Sequence, residues 1–516
     1  MENAFPHLYA VIVCGQSGNA LWPLARDRNP RETLVLPGDG ESLLESTLKH
    51  ARAVSGNPVT FVCHSEIAEQ VRRSIESCRL MDGVDYRLLV VPCQCGDSFA
   101  IALAAASLKL EDPEACLMVM SPHVRLDGDE QWEPAVSRGC KAADAGKLAV
   151  VTVPSRRSSS PHSFARLSSN EVKGLPGIRS VTLFTARATQ QQANRYVSLG
   201  LEWSTGTMFM RAATALASLQ YVSKHTSEPA SADMCRVAET AEFLASIEEN
   251  SWQSEHAREL VESLPDQTFE KAVLEVHPDV VAVSTTLDYV ALESLGDVDD
   301  ALDPDEYGNR IFGRGFAIDS RDTTVFDIDR LTVTLGCDDV MVVNTRDAVL
   351  VASKEMLGSL ESAIPSLIEA GAGEAMASSQ ASYGWGTTVT VFSGTSCRIS
   401  LVTVYPGKSV GKYSRSKITE SWTVADGTIV CISDGEYRNR TAGAQLDFEP
   451  GEVHELKNMG DSETILLLVE HDAAGSAAHT ARMTRAERAA RAAAAREETA
   501  GGAAAEPTEP GCDAAG

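Results

Sequence analysis

The apolar positions of the first half of the chain fall into two alternating patterns. Short continuous apolar runs occupy residues 9–13, 59–63, 86–91, 116–120 and 148–153. Between the runs, residues 43–53, 66–77 and 99–108 repeat apolar side chains at the three- and four-residue spacing of a helix. Strand-like runs alternating with helical stretches are the pattern of strands joined by crossover helices. The pattern therefore predicts an open α/β sheet. Ligands of such sheets bind beyond the carboxyl ends of the strands, and the first strand ends at Cys14-Gly15.

The pattern changes near residue 300. Short β-branched runs separated by turns recur at residues 323–327, 331–335, 339–344 and 348–351, predicting a small β-rich connecting domain with solenoid character. Residues 355–380 read as a helix followed by a Gly/Ala/Ser-rich linker. Residues 383–470 carry dense strand signals, with turns at Pro406-Gly407, Asp434-Gly435 and Pro450-Gly451. The final stretch is rich in Ala, Arg, Glu, Gly and Pro and is expected to be disordered, with one helix possible over residues 484–499. The expected boundaries are 1–300, 301–380, 381–472 and 473–516.

Composition narrows the function classes. A formal net charge of −27 over 516 residues argues against nucleic-acid and membrane-surface binding. The twelve cysteines show no disulfide-like framework, Cys93-x-Cys95 being the tight pair, and no secretory signal is evident, so a reducing cytoplasm is the expected location.

The first strand runs into Gly15-Gln16-Ser17-Gly18 and then Leu21-Trp22-Pro23-Leu24-x-Arg26. Glycines let a backbone turn tightly and aim its N–H groups at phosphate oxygens. This segment resembles the nucleotide-binding loop of sugar-phosphate nucleotidylyltransferases, most closely the mannose-1-phosphate guanylyltransferases. Three more segments resemble the same family in order: Pro30-Arg31-Glu32-Thr33-Leu34, residues 99–105, and Trp203-Ser204-Thr205-Gly206-Thr207. The resemblance implies a nucleotide-diphospho-sugar transferase (Rossmann-like) α/β domain, a β-rich linker domain and a C-terminal cupin β-barrel. It implies GTP and mannose 1-phosphate as substrates, GDP-mannose and pyrophosphate as products, and Mg²⁺ as cofactor. Carried over position by position, it gives Gly15, Ser17, Gly18 and Trp22 to the nucleotide, Arg26 and Arg31 to charge at the phosphates, and Asp288 to catalysis and the metal. Asp127 and Asp129 are further metal candidates.

The family pattern is incomplete. Its second loop glycine is Gln16, its loop arginine is Ala20, and Pro122 or Ser121 stands where a metal aspartate is expected. The sugar-contacting loop has become Arg156-Arg157-Ser158-Ser159-Ser160-Pro161-His162, and Arg187 is the nearest stand-in for a phosphate lysine. In the barrel, Tyr413 and Arg415 occupy the places of a glutamine and a histidine ligand, while Glu420 and His454 match the remaining ligands. Tight zinc and isomerase activity are therefore not expected there. Two other readings stay open at this stage: an inactive paralogue that binds sugar nucleotides or regulates an active partner, and a cupin-based sugar-binding protein. A homo-oligomer is compatible with each.

Overall fold

The structure is a computed structural model. It describes residues 5–472 except 16–17, 27–29, 35–41, 79–84, 123, 128, 157–161, 329, 376–377, 384, 395, 416 and 434. The expectations for Gln16, Ser17 and the tail thus lie outside the described residues, as do the side chains of Asp127 and Asp129. The chain forms two compact units, Met1–Gly384 and Trp385–Gly516.

The first unit is built on a nine-stranded sheet. Its strands are β1 (Leu8–Val13), β2 (Val59–His64), β3 (Tyr86–Val91), β4 (Cys116–Met120), β6 (Leu148–Pro154), β7 (Phe164–Val172), β8 (Leu175–Thr185), β9 (Glu202–Arg211) and β10 (Val280–Ser284). The order is β3-β2-β1-β4-β9-β6-β10-β8-β7. Strands β3, β2, β1 and β4 run parallel, as the continuous apolar runs require. Strand β9 enters antiparallel between β4 and β6. Separate from this sheet, β5 (Val124–Asp127) and β11 (Asp288–Ala291) form a two-stranded antiparallel ribbon.

Two apolar cores cover the two faces of the sheet. One contains the helix Asp97–Glu111, whose ten buried residues from Ser98 to Leu108 leave almost no polar face. Such a helix needs protein on every side, and it receives it from Ala212–His225 and Met234–Ala245. The other core gathers Leu44, Leu48, Phe61, Trp132, Phe164, Trp203 and Tyr289. The helix Leu43–Val54 on that side starts with a capping box in which Ser42 and Glu45 satisfy each other's backbone N–H groups.

A third core explains why the β-rich segment does not stand apart. Leu21, Leu24 and Ala25, just after the glycine loop, pack with Leu292, Leu295, Phe326, Met341 and Val343. The segment itself has parallel ladders, β12 (Arg310–Phe312) on β14 (Thr324–Asp327) on β16 (Val340–Asn344), and β13 (Gly315–Ile318) on β15 (Thr332–Leu335). Strand β17 (Val349–Ser353) closes β16 antiparallel. The expected connecting domain is thus joined to the α/β sheet through a shared apolar core.

The second unit is all β. After β18 (Gln380–Tyr383), which belongs to the first unit, it contains β19 (Gly386–Ser393), β20 (Cys397–Val404), β21 (Ser409–Tyr413), β22 (Ile418–Asp426), β23 (Thr428–Ser433), β24 (Glu436–Thr441), β25 (Gln445–Phe448), β26 (His454–Lys457) and β27 (Thr464–Asp472). One sheet runs β19-β20-β27-β22-β25 and the other β21-β26-β23-β24. Val402, Val404, Trp422, Ile429, Leu456 and Leu466 fill the space within this double sheet. No helix among the described residues is long and apolar enough to cross a membrane.

Candidate functional site

The glycine loop lies at the carboxyl end of β1, beside the ends of β2 and β3. Gly15 has φ of +85°, and a Cβ there would lie 2.3 Å from Ile67 Cδ1, so any other residue would be strained and would displace Ile67. Its N–H, which points toward the phosphate side in the family reading, donates instead to Glu32 Oε1 at 2.7 Å. Gly18, at a φ of −97°, is constrained by space alone, since a Cβ would lie 2.8 Å from that of Ala25. Cys14, Gly15, Cys63, His64, Cys95 and Asp97 line a cavity of about 20 Å³ beside the loop. That volume suits a single water.

Glu32 is the anion closest to the loop backbone that sequence reading passed over. It is buried, and burial raises its carboxyl above the usual range, with its own N–H, Arg31 and the Gly15 N–H pulling back. Glu32→Gln keeps an acceptor for the Gly15 N–H and removes the charge. We expect GTP to bind this variant about tenfold more tightly, about 1.4 kcal/mol. Calorimetry checks it, and an unchanged or weaker affinity contradicts it.

The two arginines expected at the phosphates are both buried. Arg26 meets Asp347 through two parallel bonds of 2.7 and 2.8 Å. Arg31 lies 3.5 Å from Glu293. The Trp22 indole donates to Glu374 O at 3.1 Å and packs with Ile364 and Ala375. The Leu-Trp-Pro-Leu continuation of the loop thus ties it to the segment following β16, and Arg26 and Trp22 serve that tie.

Asp288 occupies the first position of β11 and is exposed, while Tyr289 next to it is buried. The ribbon register sets Asp288 directly opposite Asp127. Asp129, two residues on, opens the helix Asp129–Asp144. The backbones of two aspartate positions 161 residues apart in sequence are therefore paired across the ribbon.

A larger cavity, about 270 Å³, lies against the buried face of this ribbon and is lined by Arg156, His162, Trp203, Tyr289, Asp297 and Asp300. The Arg156 guanidinium lies 5.9 Å from the Trp203 ring centroid and donates to Tyr289 O at 3.3 Å. The volume approaches that of small-ligand pockets. Beside it, Ser163 and Ser204 donate to Glu270 at 2.5 and 3.1 Å. Glu270 begins a π-helical turn, a feature frequent at functional sites. Arg187, at a left-handed φ of 45°, donates its N–H to Ser163 Oγ at 3.1 Å and approaches Glu361 at 3.5 Å.

Burial lowers the pKa of His162 to about 4, with Glu293 raising it and Arg156 lowering it further. The unfolded chain takes up this proton near pH 6.5, the folded chain only near pH 4, so the native state loses stability as pH falls through that window. The loss should reach roughly 3 kcal/mol. Urea unfolding at pH 7 and pH 4 checks it: His162→Phe should flatten the pH dependence by that amount, and parallel profiles for the two proteins would contradict it.

In the second unit, Glu420 and His454 come together as the sequence placed them, with His454 Nε2 3.1 Å from Glu420 Oε2. His454 stacks on Phe448 at 3.6 Å. Tyr413 donates to Glu420 Oε2 at 3.2 Å. The Arg415 guanidinium lies 3.2 Å from Glu420 and 3.2 Å from Glu470, a second buried carboxylate that the sequence reading missed. Among the described residues, no group of three or more His, Cys, Asp and Glu side chains is arranged to hold a metal.

Residues 9–227 match the family model described as nucleotidyl transferase. The alginate biosynthesis protein AlgA of Pseudomonas aeruginosa is 25% identical over 459 residues, covering 87% of this chain and 91% of that one. The mannose-1-phosphate guanylyltransferase of Escherichia coli K12 is 24% identical over 464 residues, covering 88% and 93%. The crystal structure of mannose-1-phosphate geranyltransferase from Thermus thermophilus superposes with a TM-score of 0.57 at 22% identity, covering 70% of this chain and 99% of that one, and shares the fold. The glycine loop and most strands of the sheet fall within the residues that match the nucleotidyl transferase model. Over most of its length the chain is similar, at 24–25% identity, to AlgA and to the mannose-1-phosphate guanylyltransferase of Escherichia coli.

Proposed function

We propose that the chain transfers a guanylyl group from GTP to mannose 1-phosphate, forming GDP-mannose and pyrophosphate. The observation that carries this reading is the pairing of Asp288 with Asp127 beyond the sheet, in a chain related over most of its length to guanylyltransferases. A phosphate oxygen of the sugar phosphate attacks the α-phosphorus. The bond from that phosphorus to the bridging oxygen breaks, and pyrophosphate leaves with the electron pair. Gly15 and Gly18 let the loop backbone approach the nucleotide. Arg31 is the cation of the loop segment, and Arg156 brings positive charge to the sugar-phosphate side in the 270 Å³ cavity. Arg26 holds the loop in place through Asp347.

Mg²⁺ takes one or two carboxylates and completes its shell with water and substrate phosphates. The Asp288 and Asp127 positions suit that demand and would hold it, and when bound it neutralises charge on the reacting phosphates. With Ala20 in place of a loop arginine and Pro122 in place of an aspartate, turnover should be slow for the class. A panel of nucleoside triphosphates against sugar 1-phosphates, read by pyrophosphate release, tests the assignment. GTP with mannose 1-phosphate should give the fastest release. A faster reaction with another pair reassigns the substrates, and no release from any pair contradicts the reading.

A further inference from the structure

Cupin barrels that carry out metal chemistry gather several N and O donors around one cation and leave a position open. The barrel here has the acidic side of that arrangement. Glu420 on β22 and Glu470 on β27 are both buried, at 1% and 6% exposure, and stand opposite each other in the β22–β27 register. His454 on β26 is 1% exposed and Tyr413 ends β21. Two carboxylates cannot remain ionised and buried side by side without a cation. That cation is already present. Arg415 Nε lies 3.2 Å from Glu420 Oε1, and its terminal nitrogen lies 3.2 Å from Glu470 Oε1. The remaining Glu420 oxygen receives Tyr413 Oη and lies 3.1 Å from His454 Nε2. The guanidinium also lies 6.0 Å from the Tyr413 ring centroid. Arg398 lies 4.0 Å from the other Glu470 oxygen.

We infer that Arg415 is the resident cation of this barrel and takes the electrostatic place of a divalent metal. The residues present do not fit a metal: among the described residues no three His, Cys, Asp or Glu side chains are arranged around one point, and the half-exposed Arg415 guanidinium lies against both carboxylates. A guanidinium cannot exchange with solvent, bind substrate oxygen as a Lewis acid or lower the pKa of a bound water, so the centre is a fixed ionic brace. Because guanidinium stays protonated throughout the physiological range, this brace does not depend on metal supply.

The test uses the full chain and Co²⁺, whose visible absorption reports tetrahedral or five-coordinate binding. After loading and desalting, the wild-type chain should retain well under one Co²⁺ per molecule. Arg415→His removes the resident charge and adds a donor, and it should retain close to one, with loss of the absorption in Arg415→His/Glu420→Gln. In parallel, Arg415→Met should lower the melting temperature of the barrel by several degrees, and Arg415→Met/Glu420→Gln/Glu470→Gln should recover most of that loss. Retention of one Co²⁺ by the wild type, lost in Glu420→Gln, would overturn the inference. So would an Arg415→His chain that stays metal-free, or an Arg415→Met chain that melts with the wild type.

Discussion

Asp288→Asn should lower guanylyl transfer on the order of 10²–10³-fold while leaving the fold intact. Asp288 is exposed at the start of a short ribbon strand, so its removal exposes no core and strands no buried partner. Asparagine preserves the shape and removes the charge that a hard cation requires. The chemistry it supports is neutralisation of phosphate oxygens as charge shifts toward the leaving pyrophosphate, and losing several kcal/mol of that stabilisation gives the stated range. The loss should appear mainly in kcat, accompanied by a rise in the Mg²⁺ concentration needed for half-maximal rate. Steady-state kinetics across a Mg²⁺ titration checks it. A variant with wild-type rate at saturating Mg²⁺ would remove Asp288 from the site.

Arg26→Ala should destabilise the first unit by roughly 3–5 kcal/mol, the range for breaking a buried ion pair from one side. Arg26 is 1% exposed, and its two bonds to Asp347 connect the stretch after the glycine loop to the segment after β16. Burial pushes the Asp347 carboxyl up, but Arg26 and the Ser379 N–H outweigh it and hold the group below its ordinary range. Removing Arg26 leaves that carboxylate with Ser379 N–H and Thr345 Oγ1. Denaturant unfolding measures the loss. Arg26→Ala/Asp347→Ala should be more stable than Arg26→Ala alone. If Arg26→Ala costs under about 1 kcal/mol, the pair is not a latch.

Much of the fold was legible because its physics is local. The five apolar runs of the first half became β1, β2, β3, β4 and β6 with ends shifted by a residue at most, since continuous burial leaves little choice of pattern. The β5–β11 ribbon was not legible. Each strand has four residues, and Val-Arg-Leu-Asp does not distinguish a strand from a turn until its partner arrives from 161 residues away. The same distance problem hid the role of Arg26. A loop arginine in a nucleotide-binding motif reads as a phosphate ligand, and nothing near it in sequence announces Asp347, which lies 321 residues on. Glu32 was in plain view beside Arg31, but a carboxylate reaching back to the Gly15 N–H depends on the path of the chain between them. In the barrel, the loss of metal ligands was readable from Tyr413 and Arg415. That Arg415 would bridge to Glu470 was not, because β27 joins β22 only in the folded sheet.

A divergent loop and a ribbon of opposed aspartates should together still perform guanylyl transfer. The most direct measurement is mass spectrometry of the nucleotide products formed by the purified wild-type chain from GTP and mannose 1-phosphate with Mg²⁺. GDP-mannose appearing in equal amount with pyrophosphate, and absent when the sugar phosphate or Mg²⁺ is omitted, is the predicted result. GTP recovered intact, or hydrolysed without formation of any sugar nucleotide, would contradict it.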